Sequence, residues 1–128
     1  MFMPKFLIDS DVLIRFLRGQ KQAVELMGVL KKSGTAVCSP ISIVEIQAGV
    51  KKGEEIKTKQ LLDSLAVHPI NKEVAYLAGD LIREYKNKGW RASVPDALIG
   101  ATCLAHKSVL VTLNKRHYPF RGIKIYPF

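Results

Sequence analysis

The chain has 128 residues, of which 48% are hydrophobic, which is enough for one domain built around a single core. No run of about 20 apolar residues exists, and the apolar run at 6–8 is ended by Asp9, so we expect a cytoplasmic protein with neither a membrane span nor a signal peptide. Lys and Arg number 20 against 11 Asp and Glu, and the resulting net charge of +9 favours an anionic partner such as nucleic acid. No acidic residue follows Asp96, so the remainder of the chain is one-sidedly basic.

The predicted elements alternate between strands and helices along the chain. Short apolar runs predict strands at 5–9, 35–38, 67–70, 108–112 and 123–126, the last of them an edge strand. Helical spacing and end signals predict helices at 12–17, 20–32, 40–50, 54–66, 72–88 and 93–106. Strands that alternate with helices indicate a parallel sheet covered on both faces. We therefore predict one α/β domain over residues 1–128, a three-layer α/β/α sandwich with a mostly parallel central sheet.

The two cysteines, Cys38 and Cys103, lie in apolar segments and belong to no CxxC motif or Cys/His cluster. A zinc site or a disulfide would need a partner at a suitable spacing. We interpret both as buried thiols of a protein from a reducing compartment.

Four polar residues are predicted to meet at one edge of the sheet. Asp9 ends the first strand, and Asn114 lies just past the fourth predicted strand. Glu45 and Asp96 lie in the opening turns of helices that begin on that same side. Ligands of open α/β sheets bind outside the carboxyl ends of the strands. This edge is therefore the predicted functional site.

A cluster of carboxylates is costly, because like charges raise each other's pKa, and a divalent cation removes that cost. Mg²⁺ and Mn²⁺ prefer oxygen ligands and keep several bound waters. A water acidified by such a metal can attack a phosphodiester. Carboxylates, a metal and a basic surround together indicate hydrolysis of phosphodiester bonds.

Each acidic residue also has a structural interpretation. Asp96 follows a proline at a predicted helix start, where it could simply complement the positive end of the helix. Glu45 interrupts an apolar segment and Asp9 directly follows an apolar strand, positions that favour function over surface polarity. Asp11 is either a further metal ligand or the cap of the following helix.

The segment 7–13, with its Asp-x-Asp pattern, also resembles the start of haloacid-dehalogenase phosphatases, in which the first aspartate is a nucleophile. That family requires a later lysine followed by a pair of acids. Because no acid follows Asp96, its final metal motif is absent, and we set this alternative aside.

Taken together, the motifs resemble PIN domains, and most closely the VapC-type toxins of toxin–antitoxin pairs. The resemblance covers essentially the whole chain and rests on four segments in the family's order: the start at 6–19, the S-x-x-x-E-x-x-x-G type of helix at 39–49, Pro-Asp-Ala-Leu-Ile at 95–99 and Thr-Leu-Asn at 112–114 with its flanks. The resemblance implies a PIN-like fold and an endoribonuclease that depends on Mg²⁺ or Mn²⁺. It implies Asp9, Glu45 and Asp96 as the metal-binding carboxylates.

One position departs from the family pattern. Many PIN domains carry a fourth acid where this chain has Asn114, whose amide adds no charge. We keep Asn114 among the catalytic candidates, but a second tightly held metal then requires Asp11 or a substrate phosphate. Thr112 is expected beside the site, where it would contact substrate or orient a carboxylate or water.

Substrate contacts are expected from the basic residues that follow the fourth strand. Lys115 and Arg116 are the preferred phosphate contacts, and His117 is either a further one or a structural histidine. The resemblance also implies an RNA substrate, an antitoxin partner that covers the acidic edge, and a homodimer. The alternative function is a catalytically idle PIN-like module that binds RNA or protein.

Overall fold

The computed structural model describes residues 3–128; Met1 and Phe2, which begin the segment expected to hold no signal peptide, lie outside the described residues. Within this range the strands are β1 (Lys5–Ile8), β2 (Thr35–Cys38), β3 (Ala66–Val67), β4 (Val109–Val111) and β5 (Lys124–Ile125). The helices are α1 (Ser10–Leu17), α2 (Lys21–Ser33), α3 (Pro40–Ala48), α4 (Glu55–Ser64), α5 (Lys72–Asn87) and α6 (Val94–His106), and a short 3₁₀ turn covers Lys115–His117.

The strands form one sheet in the order β3-β2-β1-β4-β5, and each pairing within residues 3–128 is parallel. The central strand is β1, whose Leu7 pairs with Val37 on one side and Leu110 on the other. The strand that follows the 3₁₀ turn, β5, lies at the edge of the sheet as predicted. Because all strands run in the same direction, their carboxyl ends share one edge, and this edge carries Asp9.

Two hydrophobic clusters cover the two faces of the sheet. Leu7 packs on one face with side chains of α5 and α6, such as Leu81 and Ile99. Phe6 and Ile8 pack on the other face with buried side chains of α1 to α4. The alternation of faces along β1 follows from the two-residue period of a strand. The predicted three-layer α/β/α sandwich is confirmed.

Hydroxyl side chains set the starts of the two helices that carry the outlying acids. Ser39 accepts a hydrogen bond from the Ile41 N–H at the start of α3, at 3.1 Å. Ser93 accepts one from the Asp96 N–H at the start of α6, at 3.2 Å. Each helix also has a proline in its first turn, where the missing N–H costs nothing. These caps fix the turn from which Asp96 projects.

Several boundaries differ from the predicted ones. Helix α1 begins at Ser10, because Asp9 leaves the strand and caps the helix. The third strand is Ala66–Val67, one residue earlier and shorter than expected, and Pro69 lacks the N–H that a longer strand would need. The 3₁₀ turn was not predicted.

Both cysteines are buried and free, as expected. Burial raises the pKa of Cys38 to about 11 and that of Cys103 to about 12, with the charge of Asp9 adding to the latter shift. Across residues 3–128, no helix combines the length and apolar character needed to cross a bilayer.

Gly34, at the end of α2, packs closely against the start of β1. A Cβ at Gly34 would overlap the carbonyl oxygen of Pro4 and lie 2.9 Å from the Phe6 ring. We expect Gly34→Ala to lower the free energy of unfolding by about 1–3 kcal/mol, the usual cost of overpacking. The control is Gly28→Ala inside α2, where the Cβ meets open space and should add about 0.5–1 kcal/mol through helix propensity. Urea denaturation measures both, and equal stability of the two variants would contradict this packing.

Candidate active site

Asp9 occupies the carboxyl end of the central strand and is 6% exposed. Its Oδ1 accepts a hydrogen bond from the Ser10 N–H at 2.9 Å. Its Oδ2 accepts from the Thr112 hydroxyl at 2.8 Å and from the Tyr118 hydroxyl at 2.9 Å. A buried carboxylate requires donors of this kind. Three donors, two of them more than 100 residues away in sequence, therefore hold Asp9 in place.

Asp11 lies beside Asp9 and faces the chain that leaves β4. Its Oδ1 accepts from the Val12 N–H at 2.7 Å, and its Oδ2 from the Leu113 N–H at 3.0 Å and the Asn114 side-chain amide at 3.1 Å. Burial, and then the charge of Asp9, raises the pKa of Asp11, which these hydrogen bonds partly oppose. Asp9 occupies the N-cap position of α1, and Asp11 accepts from an N–H in the first turn of that helix, so its role as a metal ligand stays a prediction.

Thr112 is fully buried at the end of β4. Its single hydroxyl hydrogen points to Asp9 at 2.8 Å rather than to Asp11 at 3.4 Å, and its oxygen accepts from the Asn114 N–H at 3.0 Å. The buried hydroxyl is thus engaged with the Asp9 carboxylate and the following turn, and its part in contacting substrate or in orienting a carboxylate or water for the reaction stays a prediction.

Glu45 and Asp96 each contact a residue next to the hydrogen-bonded network of Asp9. The Glu45 carboxylate is exposed and accepts a hydrogen bond from the Ser10 hydroxyl at 3.1 Å. The Asp96 carboxylate lies 3.5 Å from Nδ1 of the exposed His117. His117 is thereby placed against a site acid, and Lys115 and Arg116 are exposed in the same 3₁₀ turn.

Tyr118 is the site residue that sequence reasoning missed. The structure buries it at 3% exposure with its hydroxyl on Asp9. Burial chiefly raises the pKa of Tyr118, and the negative charges of Asp9, Asp96 and Asp11 raise it further. The phenol therefore stays protonated and acts as a hydrogen-bond donor. Its place at the end of the Thr112–Tyr118 segment was the available signal.

The donor set of this cluster suits Mg²⁺ or Mn²⁺, because every candidate ligand is a carboxylate or amide oxygen. The like charges of Asp9 and Asp11 are also the kind of repulsion that a divalent cation relieves. In their present orientations, no three Asp, Glu, His or Cys side chains within residues 3–128 surround a point where one ion could bind. The residues fit a metal in kind, and joint coordination by Asp9, Glu45 and Asp96 stays a prediction.

Fold and site together define an α/β/α protein whose carboxylates collect at the carboxyl edge of a parallel sheet. The chain belongs to the PIN domain family, whose model matches residues 6–123. It is 36% identical over 113 residues to Ribonuclease VapC10 of Mycobacterium tuberculosis, which covers 88% of this chain and 85% of that protein. The resemblance inferred from the sequence motifs is confirmed.

Solved structures show the same fold. A chain of a toxin–antitoxin complex from Klebsiella pneumoniae aligns with a TM-score of 0.78 and 26% identity, over 98% of each chain. A chain of VapBC2 from Rickettsia felis, solved bound to a fragment of promoter DNA, aligns with a TM-score of 0.83 and 21% identity, over 97% of this chain and 98% of that one. The order of helices and strands is therefore that of PIN-fold proteins.

The Tyr118 hydroxyl should stabilise the folded protein by supporting Asp9. In Tyr118→Phe the ring is retained, but a buried carboxylate loses one of its donors. Hydrogen bonds to charged groups contribute about 1.5–3 kcal/mol, so we expect a loss of about that size in the free energy of unfolding. Tyr76→Phe is the matched control, because Tyr76 is 67% exposed and its change should cost less than about 0.5 kcal/mol. Should the two variants unfold at the same urea concentration, the Tyr118 hydroxyl would not be supporting Asp9.

Proposed function

We propose that this chain is an endoribonuclease that depends on Mg²⁺ or Mn²⁺, and that it is the toxin of a VapBC-type toxin–antitoxin pair. The observation that carries the proposal is the Asp9–Asp11 pair, two like charges that dedicated donors hold side by side at the edge of the sheet. The similarity to a protein named Ribonuclease VapC10 supports RNA as the substrate, and the net charge of +9 supports an anionic substrate.

Asp9, Glu45 and Asp96 would hold the metal, with Asp11 as a further candidate ligand. The bound ion would supply an acidified water and neutralise charge on the phosphate. Thr112 and Tyr118 would keep Asp9 in a fixed orientation, so that little reorganisation accompanies the reaction.

The remaining roles belong to groups that offset the negative charge of the site. Lys115 and Arg116 are exposed immediately after the site, where they would bind phosphates of the substrate. His117 would lie between Asp96 and the RNA backbone. These residues compensate for the repulsion between an acidic cluster and a polyanion.

We further propose an antitoxin partner and a homodimer. The solved toxin–antitoxin complex from Klebsiella pneumoniae and VapBC2 from Rickettsia felis support the antitoxin. The homodimer is supported by exposed apolar side chains on neighbouring elements: Val44 of α3, Ile56 of α4 and Val67 of the edge strand β3. Such residues are suited to a protein interface.

The first test is cleavage of RNA by the purified chain with Mn²⁺ and with a chelator. We expect cleavage only with the metal, and a loss of about 100-fold or more in Glu45→Gln and in Asp96→Asn, since even indirect changes at metal sites cost about 10–100-fold. Asp80→Asn is the matched control, because this acid lies exposed on α5 beside Arg83.

Two outcomes would count against the proposal. Metal-independent RNA binding without any cleavage would favour the alternative, a catalytically idle PIN-like module. Full activity in Asp96→Asn at ordinary Mn²⁺ concentrations would remove Asp96 from the site.

The second test restores a fourth acid with Asn114→Asp. The Asn114 amide donates to Asp11, so the change replaces a donor with a like charge. We expect the metal-free protein to lose roughly 1–4 kcal/mol of stability, the range for like charges about 4 Å apart between bulk water and a protein surface. Mn²⁺ should bind several-fold more tightly, because the added charge favours the cation.

Calorimetric titration with Mn²⁺ and urea denaturation measure the two effects separately. The matched control is Asn71→Asp, because Asn71 caps α5 through its side-chain oxygen and an aspartate caps equally well. Unchanged Mn²⁺ affinity in Asn114→Asp would show that the metal does not reach this corner of the site.

A further inference from the structure

A groove of about 240 Å³ lies directly beside the acidic pair. Its floor is apolar and includes Val12 of α1, Leu26 of α2 and Leu113 after β4. Leu113 is 40% exposed. The groove is therefore an apolar surface open to solvent next to a charged site.

The groove and the site share parts of the chain. The backbone N–H groups of Val12 and Leu113 both donate to the Asp11 carboxylate, at 2.7 and 3.0 Å, while their side chains line the groove. A molecule that occupies the groove therefore lies one residue away from the proposed metal-binding acids. A substrate bound at the acidic site would therefore extend into the groove.

An aromatic ring closes one side of the groove. Phe128 is 51% exposed, and the ammonium group of Lys115 lies 5.7 Å from the centre of its ring. The same ammonium donates to the Phe128 carbonyl oxygen at 3.5 Å. Tyr126 packs against the ring as well, with 6.0 Å between ring centres. These contacts hold the ring in position and leave half of its surface open.

Polar and cationic residues line the groove as well. Arg15 lies there with Gln20 and Gln22, and its guanidinium is 3.5 Å from the Gln20 side-chain oxygen. Side-chain amides can both donate to and accept from the edge of a nucleobase, and the guanidinium has further donors for a phosphate. Among the described residues, no carboxylate side chain lines this groove.

We propose that the groove binds one unpaired nucleobase of the RNA, stacked on Phe128, next to the phosphate that the acidic site attacks. This inference rests on the proposed ribonuclease function. Single-stranded RNA is typically bound by stacking its bases on aromatic side chains while polar groups contact their edges. Lys115 lies against the Phe128 ring and Arg15 lines the groove, so phosphates that adjoin the base would meet cations.

A peptide segment is the competing occupant, and the composition of the groove favours the nucleobase. The combination of an open aromatic ring, paired amides and flanking cations matches a base with its two phosphates. A peptide would use the apolar floor but would leave the cations without partners unless it were acidic.

The experiment measures binding of short single-stranded RNA that spans the mapped cleavage site, with Asp96→Asn as the non-cleaving background. The same RNA is prepared as a set in which one nucleotide at a time is abasic. We expect Phe128→Ala to weaken binding of the intact RNA by about 5- to 150-fold, the range expected for loss of one stacked base. The same substitution should not weaken binding of the one RNA that lacks the base stacked on Phe128.

The controls separate stacking from charge and from folding. Tyr76→Ala removes another exposed ring, with Lys72 at 5.9 Å, that does not line the groove, and it should leave RNA affinity unchanged. Phe128→Trp should retain binding, because a larger ring can still stack. The dependence of affinity on salt should not change in Phe128→Ala, since no phosphate contact is lost.

Two results would overturn the inference. Equal weakening of every abasic RNA and of the intact RNA by Phe128→Ala would show that the ring contacts no base. Unchanged RNA affinity together with weaker binding of the antitoxin would assign the groove to a peptide. If the unaltered chain cleaves RNA in either case, only the base-binding inference fails; if it neither binds nor cleaves RNA, the proposed function fails first.

Discussion

The structure depends on how two neighbouring carboxylates are held at the end of a buried strand. Asp9 and Asp11 repel each other, and burial adds to the cost of their charges. The protein offsets that cost with hydroxyl and amide donors from the chain that leaves β4. These donors reach the pair only because β4 lies directly beside β1. The order of the strands therefore allows this basic protein to hold two negative charges side by side at the edge of its sheet.

The central position of β1 explains why distant residues meet there. Its two neighbours in the sheet, β2 and β4, each deliver a different group to the same edge. The chain after β2 enters α3 and brings Glu45 to the Ser10 hydroxyl. The chain after β4 brings Thr112 and, past the 3₁₀ turn, Tyr118 to Asp9. An edge strand could collect such groups from one side only.

Much of this arrangement could be predicted from the sequence, because it depends on patterns that act locally. Apolar runs marked the strands, and hydroxyl–proline pairs marked the starts of α3 and α6. The alternation of strands and helices then placed Asp9, Glu45 and Asp96 at one edge. Tyr118 could not be found in this way. Its role comes from a contact with Asp9 across 109 residues, and its place at the end of the Thr112–Tyr118 segment indicates closeness to the site but not this hydrogen bond.

The distance along the chain between the two halves of the site has a consequence for the timing of its assembly. Two of the three donors that hold Asp9 are separated from it by 103 and 109 residues, so a growing chain lacks them until the Thr112–Tyr118 segment has been synthesised. Domains that emerge from the ribosome fold as units, and contacts between distant segments form late. A nascent chain of this protein therefore carries unsupported acids rather than a finished site. Any activity that needs Asp9 in this fixed orientation therefore arises only after the Thr112–Tyr118 segment has packed beside β1.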